Sequence, residues 1–191
     1  MSVLISWNMV VSLWIVFLTY WALRALSVKR AQRRETSAWR LATLLLVGAG
    51  ASLIFSRSLR LGILDERFLP ENEWLKAAAI VLVGAGVGIA IWARRHLGQF
   101  WSARVTLKVD HQLIQSGPYA WVRHPIYAGL LLAILGTALF LGKWRALVGF
   151  GLLSFGFWQK AWREEALLAA QFGPDYEQYR KQTRSLVPRL H

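Results

Sequence analysis

Apolar residues in this chain neither alternate nor form a narrow stripe; they come in blocks. Five blocks cover residues 3–23, 41–56, 74–93, 126–141 and 146–162, and polar clusters separate them. A block of about 20 apolar residues crosses a bilayer as an α-helix, because each residue adds roughly 1.5 Å. The second, fourth and fifth blocks are shorter, but Trp39, Trp144, Trp158 and Trp162 extend them into the interfacial zone that indole rings favour. The pattern predicts an all-α integral membrane protein with five transmembrane helices. The first block has no basic residue before it and no small-residue cleavage site after it, so it reads as a span and not a signal peptide.

Composition agrees with the pattern. The 191 residues are 55% hydrophobic, include 11 Trp, and carry a formal net charge of +13. High basicity is also a mark of nucleic-acid binding, but these charges sit between apolar blocks and not along one amphipathic face, which excludes that partner. The chain has no Cys, so disulfides, thiolate catalysis and Cys-based metal sites are excluded.

The placement of the cations sets the orientation. The segments 24–40, 94–124 and 160–191 lie on one side of a five-span chain and hold 17 of the 23 Lys and Arg residues. The 57–73 segment, on the other side, has four acids against three basic residues. Cytoplasmic loops are the basic ones, so the N-terminus is expected outside and the C-terminus in the cytoplasm. The Ala-, Leu-, Arg- and Trp-rich style suits a bacterial cytoplasmic membrane.

Within this frame, residues 1–93 read as a three-span scaffold and 94–191 as the catalytic part of a single structural domain. The pentapeptide LVGAG occurs at 46–50 and again at 82–86. GAGVG at 84–88 resembles a dinucleotide loop but lacks the strand and soluble βαβ context such a loop needs; small residues at helix crossings explain these glycines better. The 94–125 segment is too polar to span. It reads as a cytoplasmic cap, with an extended stretch in TLKVDHQLI, 106–114. Pro125 suits the first turn of the fourth helix. After the fifth block, ALLAAQFGPDYEQYRK predicts a short C-terminal amphipathic helix with a Gly-Pro break.

The short LGKWRA connection makes the last two blocks antiparallel neighbours. Arg123, His124 and Tyr127 therefore lie level with Lys160, Glu164 and Glu165 at the cytoplasmic mouth. Ionisable groups at that depth point to function. Each also has a plainer reading. Arg123 suits a lipid phosphate, His124 a helix cap, and Tyr119 and Tyr127 an interfacial belt, while Glu164 and Glu165 balance Lys160 and Arg163. The two acids are consecutive, about 100° apart on a helix, so only one is expected to face the site.

The order GPYAWVRHPIYAG (117–129), a helical hairpin, and EEALLAAQFGPDYEQY followed by Pro188 resembles the isoprenylcysteine carboxyl methyltransferase family, over roughly residues 94–190. The resemblance implies S-adenosylmethionine as methyl donor without a dinucleotide-binding fold. It implies donor contacts at His111, Leu113, Ile114, Tyr119, His124, Pro125, Ile126, Tyr127 and Glu164. Those residue types suit that donor: a carboxylate for its ammonium or ribose, aromatic faces for its sulfonium, and a helix N-terminus for its carboxylate. Gly129 is expected to leave room for a flat ring. The family holds its acceptor carboxylate with an arginine one helical turn before the glutamate. Here Lys160 stands in that place, a point charge instead of a fork, with Arg163 beside the glutamate. The implied acceptor is a lipophilic or prenylated carboxylate entering among membrane lipids. An amine N-methyltransferase, an NADPH-dependent membrane reductase and a non-catalytic lipid-binding protein are the alternatives.

Overall fold

Each of the five apolar blocks forms one helix in the computed structural model, which describes residues 2–25, 37–56, 58–98 and 113–187. The helices are α1 Ser2–Ala25, α2 Ser37–Phe55, α3 Glu73–Leu97, α4 Pro125–Leu141 and α5 Trp144–Phe172, followed by the short α6 Pro174–Gln182. Two of them, over Trp7–Ala25 and Glu73–Leu97, are long and apolar enough to cross a membrane; Leu41–Phe55 and Pro125–Leu141 are apolar but shorter. Among the described residues there is no β-strand, only two isolated bridge pairs. His111, Pro188 and most of the expected extended stretch lie outside the described residues.

Local chemistry explains the helix ends. Asn72 caps α3 by accepting from the backbone N–H of Trp74 at 2.8 Å and of Leu75 at 3.3 Å. Pro125 opens α4 at a position where its missing N–H costs nothing, as the sequence predicts. Gly142 ends α4 in the left-handed region, φ 62°, where only glycine is unstrained, and its N–H returns to the Ala138 carbonyl. Lys143 occupies the N-cap position of α5 without a side-chain capping bond, so α4 and α5 are joined by a two-residue turn. Arg67 fixes that turn from outside by donating to the carbonyls of Leu69 and Leu141, both at 3.1 Å.

Two glycine pairs set the helix crossings. A Cβ on Gly86 would lie 2.5 Å from the Gly129 carbonyl oxygen, and one on Gly129 would lie 2.7 Å from the Gly86 oxygen, so α3 and α4 touch backbone to backbone. Gly50 and Gly149 do the same for α2 and α5, at 3.0 and 2.7 Å. Close approach of this kind suits a bilayer, where packing supplies much of the association energy. In both copies of LVGAG only the last glycine is used. Gly48 faces open space, and Gly84 touches only the Leu13 side chain, at 4.0 Å. The assignment of Gly129 to a ligand ring is corrected: the α3 backbone already fills that face.

The sequence also placed the end of the fifth helix too early. Glu164, Glu165 and the following ALLAAQF continue α5 without a break to Phe172, because every residue after Trp162 up to there is a competent helix former. The break comes at Gly173, and only Pro174–Gln182 forms the separate tail helix. This overrun carries α5 beyond the first turn of α4 and brings its acids beside His124.

Candidate active site

The tail folds back on the segment before α4. Arg123 N–H donates to the Arg184 carbonyl at 2.9 Å and His124 N–H to the Ser185 carbonyl at 3.0 Å. The Tyr179 hydroxyl donates to the Tyr119 carbonyl at 2.6 Å. Residues 119–124 are thus held between α5, α6 and the strap 183–185, and every side chain at the start of α4 has a fixed direction.

Those directions converge. His124 occupies the N-cap position of α4, but its side chain makes no capping bond. The ring turns instead toward α5, with Nε2 3.2 Å from Glu165 Oε1 and Nδ1 3.6 Å from Glu164 Oε2. Tyr127, one turn into α4, donates its hydroxyl to Glu164 Oε1 at 2.7 Å. Its ring lies parallel to that of His124, 5.4 Å between centroids and 10° between planes, and stacks on Phe157 on α5 at 5.3 Å. The Lys160 ammonium sits 5.3 Å from the centroid of the same Tyr127 ring, a cation–π distance.

Arg123 does not reach out to lipid phosphate. Its Nε and Nη2 grip the Glu165 carboxylate as a fork at 3.0 and 3.2 Å, and Nη1 donates to the carbonyls of Arg180 and Thr183. Ser185 adds a fourth bond to Glu165 at 2.8 Å. The expectation that only one of the two acids faces the cluster is corrected here. The His124 ring lies between them, and its two nitrogens span the angle that separates consecutive residues on α5.

The electrostatics follow from this crowding. Burial alone would push Glu164 up, but the His124 ring 3.6 Å away, the charge of Lys160 and the bond from Tyr127 hold its carboxyl below the ordinary range. Glu165 is also desolvated, yet bonds from His124, Arg123 and Ser185 bring it down to about 2. Burial disfavours a charged His124, and the two carboxylates outweigh it, so its pKa lies above the ordinary 6.5. Burial pushes Tyr119 well above 10. Arginine, glutamate, histidine, glutamate and lysine thus form a row of alternating charge: Arg123, Glu165, His124, Glu164, Lys160.

Other predicted residues frame this row. Pro125, Ile126 and Tyr127 are buried in the first turn of α4, and Tyr119 is buried beneath it. Ile114 packs against Tyr119, Ile126 and Tyr127 together with Trp21, Leu130 and Phe157, making an apolar floor. Leu113 is half-buried at the start of the same segment. Arg163 points elsewhere: its guanidinium lies 5.0 Å from the Trp39 ring on α2 and donates to the Thr43 hydroxyl at 3.3 Å. Ser185 was not predicted, and Glu165, which the hairpin placed level with Arg123 and His124, was not among the expected donor contacts. A groove of about 600 Å³ between α1 and α3, lined by Asn8, Ser12, Leu13, Ile80 and Gly84, contains no charged side chain and lies toward the opposite ends of those helices. Among the described residues no cluster of metal ligands occurs.

Residues 78–170 match the model of the isoprenylcysteine carboxyl methyltransferase family. Protein-S-isoprenylcysteine O-methyltransferase of Schizosaccharomyces pombe is 34% identical over 122 residues, covering 63% of this chain and 47% of the relative. The Xenopus laevis enzyme of the same name is 32% identical over 123 residues, 63% of this chain and 43% of the relative. The cobalt-zinc-cadmium resistance protein CzcN of Cupriavidus metallidurans is 28% identical over 161 residues, 83% of this chain and 65% of the relative. The chain spans about half the length, or less, of the methyltransferases it matches.

Proposed function

We propose that this chain, whose residues 78–170 match the isoprenylcysteine carboxyl methyltransferase family, is an integral-membrane S-adenosylmethionine-dependent methyltransferase. Its acceptor is a lipophilic carboxylate of the isoprenylcysteine kind. The apolar blocks within α1 to α5 are the five spans, the fifth ending at Trp162, with the N-terminus outside and the His124 mouth at the cytoplasmic face of a bacterial membrane. Residues 1–93 form the scaffold and 94–191 the catalytic part.

The observation that carries this reading is the shared carboxylate of Glu164, bonded by Tyr127 and faced by His124, one helical turn from Lys160. The donor set fits S-adenosylmethionine. Glu164 is kept ionised, so it suits an ammonium or a ribose diol. The Tyr127 face already accepts one cation, Lys160, and a sulfonium asks for the same surface. The N-terminus of α4 and His124 suit a carboxylate. Leu113, Ile114, Tyr119, Pro125 and Ile126 provide apolar walls, with His111 assigned to the same site.

When bound, S-adenosylmethionine supplies a methyl group already activated for displacement. The acceptor carboxylate is ionised at neutral pH, so no side chain has to serve as base. Lys160 holds that carboxylate as a point charge, and its swing between the Tyr127 face and the acceptor couples acceptor entry to exposure of the ring. Arg163 supports this end of α5 from the α2 side. Trp21, Leu130 and Phe157 exclude water and receive the lipid chain. A cation at the acceptor end favours a carboxylate over the amine of a phospholipid headgroup.

The test is transfer of labelled methyl by the purified chain in lipid nanodiscs to a farnesylcysteine analogue. The label released as methanol by base marks an ester. Label retained on phosphatidylethanolamine would identify an amine acceptor instead, and no transfer to either would remove the methyltransferase reading.

A further inference from the structure

We propose that Glu165 is a positioning residue of this site: it holds the His124 ring so that Nδ1 addresses Glu164 while one ring face lies on Tyr127. The inference rests on the donor site proposed above and adds a residue to it that makes no ligand contact of its own.

The geometry separates the two acids. Glu165 Oε1 takes Arg123 Nε at 3.0 Å, Ser185 Oγ at 2.8 Å and His124 Nε2 at 3.2 Å, and Oε2 takes Arg123 Nη2 at 3.2 Å. A carboxylate has about four acceptor sites, so Glu165 is filled by the protein itself. Glu164 accepts one short bond, from Tyr127, and is approached by His124 at 3.6 Å and by the Lys160 charge, none of which is the bidentate fork that Arg123 makes on Glu165. Consecutive acids on one helix therefore have different tasks.

The ring between them is constrained to one protonation state. Both nitrogens face carboxylate oxygens, and a neutral imidazole would turn a lone pair toward one of them. Stacking on Tyr127 at 10° removes the rotation that could relieve this. The charged side chains in direct contact with the ring are the two carboxylates, and the cations lie behind them or behind Tyr127. Glu164 and Glu165 face it from α5, and Lys160 lies beyond the Tyr127 ring. Arg123 reaches it only through Glu165. From α6, Tyr176 and Tyr179 are kept neutral by burial. Withdrawal of the Glu165 charge removes one of the two carboxylates that keep His124 protonated, and with it the bond that aims the ring at Glu164.

The experiment uses the full chain in detergent with Glu165→Gln, which keeps the side-chain shape and loses the charge. Ring ionisation is read by nitrogen NMR, with the His124 signal assigned from its loss in His124→Asn. Affinity for S-adenosylmethionine is read by calorimetry at about pH 6 and about pH 8, on either side of the ordinary imidazole pKa. In the wild type the ring is expected to stay protonated and affinity to be the same at both. In Glu165→Gln the ring should titrate at lower pH, and affinity should fall roughly tenfold at the higher pH, the size of one charge-assisted hydrogen bond. It should return at the lower pH, and Glu165→Asp should restore part of it. An unchanged ring, or an equal loss at both pH values, would overturn the proposal in favour of a purely structural role. If Glu165→Gln does not fold, Ser185→Ala, which loosens one bond to Glu165, must shift the ring in the same direction or the proposal fails. A wild type that binds no donor would remove the methyltransferase reading, while ring titration would still decide whether Glu165 holds His124.

Discussion

Tyr127 donates its hydroxyl to Glu164 Oε1 at 2.7 Å, and that bond joins the first turn of α4 to the end of α5. The same tyrosine ring is covered by His124 on α4's cap and by Phe157 on α5. One side chain thus connects the acid, the imidazole and the apolar floor.

If Glu164 binds the donor and Lys160 the acceptor, substitutions should divide the two functions. Glu164→Ala should weaken S-adenosylmethionine binding about 10- to 100-fold, as expected for one or two charge-assisted hydrogen bonds. Lys160→Ala should leave that affinity within about twofold and slow methyl transfer by about a hundredfold. Lys160→Arg should retain transfer, because a guanidinium fork fits a carboxylate at least as well. Calorimetry and a methyl-transfer assay on the same preparations give the comparison, and loss of donor binding in Lys160→Ala would exchange the roles.

The two copies of LVGAG predict a difference between neighbouring glycines. Gly86→Ala places a methyl group against the Gly129 and Ala133 backbone, where nothing flexible can yield, and should cost about 1–3 kcal/mol. Gly48→Ala and Gly84→Ala face open space or a single side chain and should be neutral or slightly stabilising in a helix. Thermal unfolding in one detergent separates them.

These cases show how far the residues spoke in advance. Pro125 at the first turn, the two-residue hairpin and the meeting of Arg123, His124, Tyr127, Lys160 and Glu164 follow from block lengths and local rules. The use of Gly129 does not, because a small residue serves a ligand and a neighbouring helix equally well. The partner of Arg163 was equally hidden: only the position of α2 reveals Trp39 and Thr43. Glu165 was obscured by a correct helical angle applied to the acids alone, since the His124 ring spans that angle.

Arg123 should prove to be a clamp and not a lipid contact. Arg123→Ala leaves Glu165 without its fork and frees the carbonyls of Arg180 on α6 and Thr183 in the strap. Removal of one partner of a largely buried ion pair costs about 3 kcal/mol. Limited proteolysis should then cut near residues 183–187 in the variant and spare the wild type.

The site should also have a defined pH window. Glu165 is depressed from 4.5 to about 2, so its stabilisation is complete above 4.5 and is lost as pH falls toward 2. His124 is raised above 6.5, so its contribution is complete below 6.5 and is lost as pH rises through its folded value. The difference in Tm between wild type and Glu165→Gln should therefore be widest between 4.5 and 6.5. It should narrow on both sides, and a difference independent of pH would contradict the charge pairing.

The most direct measurement is a calorimetric titration of the purified chain with S-adenosylmethionine, with NADPH in parallel and Glu164→Ala as the control. Saturable binding of S-adenosylmethionine that Glu164→Ala abolishes or strongly weakens, with no binding of NADPH, is the predicted result. Binding of NADPH alone, or donor binding that Glu164→Ala leaves intact, would contradict the assignment of this site.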